Sequence, residues 1–310
     1  MATTTTVNSN YVGKAAGEII GKAFKEADTL RLGIVTVAEN VNFKYHLRKI
    51  RYTDGTVDYT CGFAPEGSIV LSEKTIEPKK VMNPFQVCKE DFRQTWSEDS
   101  MGASAWNPNA PADIMEAIQV EVLAETAENI DEQIWTGTAA TNGEIGDGFL
   151  VQFAADAAII KDGNGVTAPG HSVSESSVEA DLKLALNAIP RAVRRSNTLT
   201  VAVSPDVFQA YSFFLISKGI ANDGTADEKQ VKFGKYMLTE VNGLPDNTIL
   251  VYDKKNLIFA TGLKADHNEL TIVDEDEIGL LTGQVRGKMV YSGGMGYYNP
   301  EEIVWLTLTA

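Results

Sequence analysis

Residues 94–160 carry twelve acidic side chains and no lysine or arginine, and this block limits how the chain can fold more than any other feature. Its centre reads as a helix over residues 112–135. Ile114, Ile118, Val122, Leu123, Ala127, Ile130 and Ile134 recur at three- and four-residue steps and form one apolar stripe. Pro111 suits the first turn, and Gly137 ends the pattern. On another face Glu121, Glu125, Glu128 and Glu132 follow one another at the same steps. Like charges so spaced repel by roughly 0.2–0.5 kcal/mol per pair, and no base on this helix offsets them. The ridge is therefore either a solvated acidic face or a surface that receives a basic element from elsewhere.

A candidate for that element lies upstream. Residues 42–63 alternate with period two: Phe43, Tyr45 and Leu47 fall on one face, Lys44, His46 and Arg48 on the other. Asp54-Gly55 is a tight-turn dipeptide, after which Val57, Tyr59, Cys61 and Phe63 alternate again, so the pattern predicts a long hairpin. Its first strand, residues 44–52, holds Lys44, Arg48, Lys49 and Arg51 and no acid. A lone two-stranded ribbon is marginal in water, so it has to lie on something. The following run to residue 91 is extended, with Pro78 and Pro84 placing it at an edge or in a connection.

The rest alternates helix and strand. A polar, Thr-rich arm leads into a short helix over 13–32; a helix is expected over 177–195, a buried strand over 199–203, and a helix over 207–218 capped by Ser204-Pro-Asp206. Strands are expected over 248–252 and 257–260, and the tail from 283 reads as strand, Gly-rich turn (292–296) and strand. With a net charge of −15, the chain is a poor candidate for gripping nucleic acid by its phosphates. No apolar run approaches the ~18 residues of a membrane span. The N-terminus lacks the basic-then-apolar order of a signal peptide, so cytoplasmic synthesis and no membrane partner are expected.

Motifs of chemistry are missing. There is no phosphate-cradling Gly-rich loop with lysine, no nucleophile elbow and no paired-histidine zinc motif. His46, His171 and His267 stand apart from one another; Asp274-Glu-Asp-Glu277 lacks the interleaved glycine of a calcium loop and reads as a solvated turn; Cys61 and Cys88 have no histidine nearby in sequence. The expectation is no enzyme, no cofactor and no metal.

Several segments, taken in order, resemble the major capsid protein of tailed bacteriophages, the Hong Kong phage-type capsid fold. They are the polar arm and hairpin, Lys74-Thr-Ile-Glu-Pro-Lys-Lys-Val-Met82, a short helix opening at Lys89-Glu-Asp-Phe92, and the long helix closing with Ile130-Asp-Glu-Gln-Ile-Trp-Thr-Gly137 before Gly148-Phe149. Val241-Asn-Gly-Leu-Pro-Asp-Asn-Thr-Ile-Leu-Val251 and Gly294-Met-Gly-Tyr-Tyr-Asn-Pro-Glu-Glu-Ile-Val304 complete the set. The resemblance implies an α+β fold with an N-terminal arm (1–37), an extended hairpin loop (38–75), a peripheral domain (76–139 and 284–310) with its spine helix at 112–135, and an axial α/β domain (140–283). It implies self-assembly as hexamers and pentamers into an icosahedral capsid of the virion around double-stranded DNA, without sequence-specific contact. Scaffolding, portal and decoration proteins would be separate chains. On this reading Lys44, Arg48, Lys49 and Arg51 of one copy face Glu121, Glu125, Glu128 and Glu132 of the next. An encapsulin-type compartment shares the fold. A soluble α/β enzyme with its site in the Gly-rich loops of 137–170 is the rival from another class.

Overall fold

The computed structural model describes residues 28–41, 43–59, 61–62, 66–88, 112–219, 230–262, 271–276 and 282–308, with the side chains of 112–121, 123, 271, 272 and 274 left aside. The helix expected over 13–32 enters this range only as α1, Asp28–Arg31. The short helix expected at residue 89 lies outside the described residues.

Three sheets organise the chain. β1 (Thr36–Ala38), β11 (Leu257–Ala260), β13 (Gln284–Tyr297) and β12 (Thr271–Asp274) form one, with β4 (Lys79–Cys88) also paired to β13. A seven-stranded sheet runs in the order β6 (Gly165–Val166), β5 (Ile160–Asp162), β14 (Ile303–Thr307), β10 (Thr248–Asp253), β7 (Leu199–Val203), β9 (Tyr236–Glu240) and β8 (Gln230–Phe233). β2 (Tyr45–Thr53) and β3 (Ser68–Ile76) pair only with each other among the described residues, as an antiparallel ribbon.

The helix α2, Ala112–Thr136, buries Ala127, Ile130, Ile134 and Trp135, and Phe149 and Phe153 of α3 (Phe149–Ala155) join the same core as β4 and β13. A second core lies between the seven-stranded sheet and the helices α4 (Val178–Ala188) and α5 (Pro205–Ser217). The tail is shared between the two bodies. β13 completes the first sheet, while β14 crosses to the second and sits between β5 and β10.

Three local readings differ from the structure, each for a physical reason. The helix expected to reach residue 195 stops at Ala188, because Ile189 precedes Pro190 and is pushed out of helical geometry; a 3-10 turn, Val193–Arg195, follows. Asp54-Gly55 does not close a tight hairpin. A Cβ on Gly55 would lie 2.0 Å from the carbonyl oxygen of Glu66, Thr53 stands opposite Ser68, and the returning strand is β3. Asp54 stabilises this loop by accepting from the hydroxyl and N–H of Thr56, which hold its carboxyl below the usual range.

The Gly-rich stretch 292–296 is not a turn. It is the C-terminal end of β13, and its glycines admit side chains from elsewhere. A Cβ on Gly293 would lie 3.0 Å from Ile145 Cδ1, one on Gly294 2.9 Å from Ile76 Cγ2, and one on Gly296 2.6 Å from Ile76 Cγ1. Gly296→Val is accordingly expected to cost about 1–3 kcal/mol through overpacking against Ile76. A urea melt of the unassembled subunit measures it, and unchanged stability would mean that β13 and the ribbon do not meet here.

Candidate assembly surface

The ribbon β2–β3 has an anchored half and a bare half. At its base Leu47 and Ile76 are buried with Val41, Ile258 and Ala260, in the space left open by Gly294 and Gly296. Lys74 reinforces the anchor: its Nζ stands 3.4 Å from the centre of the Tyr297 ring, and the Tyr297 hydroxyl donates to Asp156 at 2.8 Å. Burial pulls the Lys74 ammonium below its ordinary value, opposed by the nearby charge of Asp156. Burial, then the bond to Asp156 and its charge, push the Tyr297 phenol up. A cavity of about 760 Å³ opens beside these groups, between β3, α3 and β13.

Farther out, the register sets Ile50 opposite Leu71 and Tyr52 opposite Ile69. Directly opposed residues share a face, so these four form one apolar strip. Ile50 is 71% exposed, Tyr52 62%, Ile69 69% and Leu71 74%. Nothing among the described residues covers them.

The cations behave differently from the sequence expectation in one respect. Lys44 pairs with Glu77 of its own chain at 2.5 Å, and Arg51 with Glu301 at 2.9 Å. Arg48, opposite Glu73 in the register, and Lys49 make no ion pair among the described residues. Glu73 is in contact with His46.

On α2 the side chains of Glu125, Glu128 and Glu132 are exposed, as the helical spacing requires once Ile130 and Ile134 face the core. Glu121 lies on the helix, with its side chain outside the described set. No ion pair joins the ribbon's cations to this ridge within one chain, among the described residues. Beside the ridge runs a groove of about 590 Å³ lined by Asp28, Glu128, Asp131, Glu132 and the loop 242–245.

Asp131 builds the floor of that groove. Its two oxygens accept the N–H groups of Thr29 (2.9 Å) and Gly243 (3.1 Å), and the Thr29 hydroxyl in turn accepts from the Trp135 indole at 2.8 Å. α1, α2 and the 242–245 loop are tied at this one point. Burial raises the carboxyl above its usual range, the Thr29 and Gly243 bonds lower it, and the charge of Asp28 raises it further, with a net upward shift. A raised carboxyl contributes stability that is complete below the unfolded value and is lost as pH rises through the folded one. Asp131→Asn leaves one N–H facing an amide donor, at a cost of about 1–3 kcal/mol in acid. That penalty is expected to shrink as pH rises toward neutral, since only the wild type has this stability to lose. Urea melts of both proteins across acid to neutral pH measure the trend, and a penalty that grows with pH would refute it.

None of the Lys74–Tyr297–Asp156 group, Asp131 with Thr29, or the Arg51–Glu301 pair stands out in the sequence, because each joins distant segments. Only the strip Ile50, Tyr52, Ile69 and Leu71 had a local signal, namely apolar side chains alternating on a strand rich in charge.

No protein-family model matches the sequence, and no curated protein matches it. Solved structures do. The capsid of the native GTA particle matches with a TM-score of 0.62 at 13% identity, covering 100% of this chain and 95% of that one. The capsid of the Myoviridae phage XM1 matches with 0.56 at 13%, covering 91% and 92%. A virus-like particle from Pyrococcus furiosus matches with 0.52 at 12%, covering 93% and 96%. The chain therefore has the Hong Kong phage-type capsid fold, an α+β fold.

Proposed function

We propose that this chain is the major capsid protein of a tailed bacteriophage, a structural protein and not an enzyme, which self-assembles as hexamers and pentamers into an icosahedral shell around double-stranded DNA. The observation that carries the proposal is the ribbon's bare half. Four large apolar side chains, each more than half exposed on one face of a strand pair that no other described strand joins, suit a surface that a neighbouring copy covers. The anchored half supports this, because Leu47, Ile76 and Lys74 fix the base of the ribbon on its own body while the strip on the opposite face stays bare. Arg48 and Lys49 are the ribbon cations left for the acidic ridge of the next copy, and they meet it at Glu121 and Glu125, which lie outside the lining of the groove that holds Glu128 and Glu132. Exposed pairs of this kind are worth only about 0.2–1 kcal/mol each, so they select register while apolar burial drives association.

The fold likeness to the Pyrococcus furiosus virus-like particle favours a second reading, a protein compartment enclosing cargo enzymes. Electron microscopy of the purified protein at high concentration tests both. Closed particles tens of nanometres across are expected under either, and a monodisperse dimer that never assembles would refute both. Particles isolated from the native source separate them: double-stranded DNA inside supports the capsid, a protein cargo the compartment.

A further inference from the structure

Arg48 and Lys49 are few cations against a block of twelve carboxylates, and the seven-stranded sheet presents others. At one end of that sheet the chain enters β7, leaves β10 and turns from β8 into β9. Arg191, Arg195, Lys235 and Lys255 are all exposed there. Lys235 Nζ donates to the Arg194 carbonyl at 2.8 Å, and the Lys254 N–H to the Thr198 carbonyl at 3.0 Å, so the three segments share one edge. Arg194 itself is occupied, donating to the carbonyls of Ile189 and Asn187. Two of the acids at this end are committed, while Glu302 forms no ion pair among the described residues. Asp253 accepts from the hydroxyls of Ser196 and Thr198, and Glu301, at the entrance to β14, holds Arg51. Arg191, Arg195 and Lys235 form no ion pair among the described residues.

The loop 242–245, which walls the acidic groove, joins β9 to β10 and so lies at the opposite end of the same sheet. Among the described residues no basic side chain lines that groove. Five- and six-residue strands separate the two ends by roughly 16–20 Å, at about 3.3 Å per residue. Screening at physiological salt acts within about 8 Å, so neither end can neutralise the other inside one chain.

We infer that the basic end of the sheet, Arg191, Arg195 and Lys235, docks against the acidic groove at Glu128 and Glu132 of a second copy. The inference rests on the self-assembly proposed above and names a contact for it. Unlike patches meeting head to tail make a heterologous interface, which closes into a ring when the rotation allows. The partner is thus a sister copy, and a polyanion such as DNA is the competing occupant.

Charge reversal of the full-length protein decides between them. Arg191→Glu with Arg195→Glu, and Glu128→Lys with Glu132→Lys, are each expected to lower particle yield at low salt by about tenfold or more, with circular dichroism unchanged. All four reversals in one chain are expected to restore it. Recovery is the outcome that establishes the contact. Wild-type yield from the edge reversal alone, or four reversals no better than two, overturns it, as does an edge reversal that assembles normally but loses binding to a DNA fragment. Should a reversal prevent folding, the glutamine variants Arg191→Gln and Arg195→Gln serve as the edge arm and are read in the same way. If wild-type protein forms no particles at all, the assembly reading itself has failed, which is a separate and visible result.

Discussion

Replacing Ile50 and Leu71 together with aspartate is expected to abolish shell formation and leave the subunit folded. Both side chains are more than 70% exposed in the single copy. Changes at exposed positions stay within about 0.5 kcal/mol of neutral, and the two directly opposed carboxylates add a like-charge cost of about 0.2–1 kcal/mol within the ribbon, so the melting curve should move only slightly. In an assembled shell the same side chains would be covered. Each loses about 1.5–3 kcal/mol of burial when made polar, and a carboxylate forced into an apolar contact costs several more. Two positions thus remove at least about 3 kcal/mol per contact, a factor of more than about 100 in each association constant. A closed shell repeats the contact in every copy, so the loss compounds. Electron microscopy and sedimentation read assembly, and circular dichroism reads folding. Normal particles from Ile50→Asp/Leu71→Asp would show that the strip is a solvated surface, and the ribbon would lose its assigned role.

Where the sequence was legible, the deciding information was local. The α2 stripe, β7 and β10 declare themselves by spacing because each buries one face or both against a continuous core. The ribbon was visible as alternation, yet its turn was misplaced. Asp54-Gly55 has the chemistry of a tight turn, but Ile69 and Leu71 pair with Tyr52 and Ile50, and that pairing fixes the returning strand. The glycines of β13 misled for a similar reason. Locally they signal a turn, while their need arises from Ile76 and Ile145, far away in sequence. Charge was legible as a pattern and not as a set of pairs. The partner of Arg51 is Glu301, 250 residues on, which no spacing rule could supply. Sequence spacing therefore carries the frame and the ridge, while the pairing of Lys44 with Glu77 and of Arg51 with Glu301 is a product of the folded chain.

Trp135 is expected to show the largest stability effect of any single residue. It closes α2 fully buried, with its ring centre 5.5 Å from that of Phe149. Phe149 continues to Phe153, and Phe153 meets the edge of Tyr297, over whose ring Lys74 of the ribbon sits. Truncating a buried Trp to Ala typically costs about 3–5 kcal/mol, a large share of a domain's stability of about 5–15 kcal/mol. Trp135→Ala should thus move the urea midpoint strongly at unchanged slope. Trp135→Phe separates packing from hydrogen bonding. It keeps a ring against Phe149, removes the donor to the buried Thr29 hydroxyl at about 1–3 kcal/mol, and leaves a void smaller than the one alanine would leave. The order wild type, Trp135→Phe, Trp135→Ala follows if packing is the larger part. Equal losses in the two variants would instead assign nearly all of the effect to the Trp135–Thr29–Asp131 link, making the joint between α1 and α2, and not the aromatic row, what fixes this end of the spine helix.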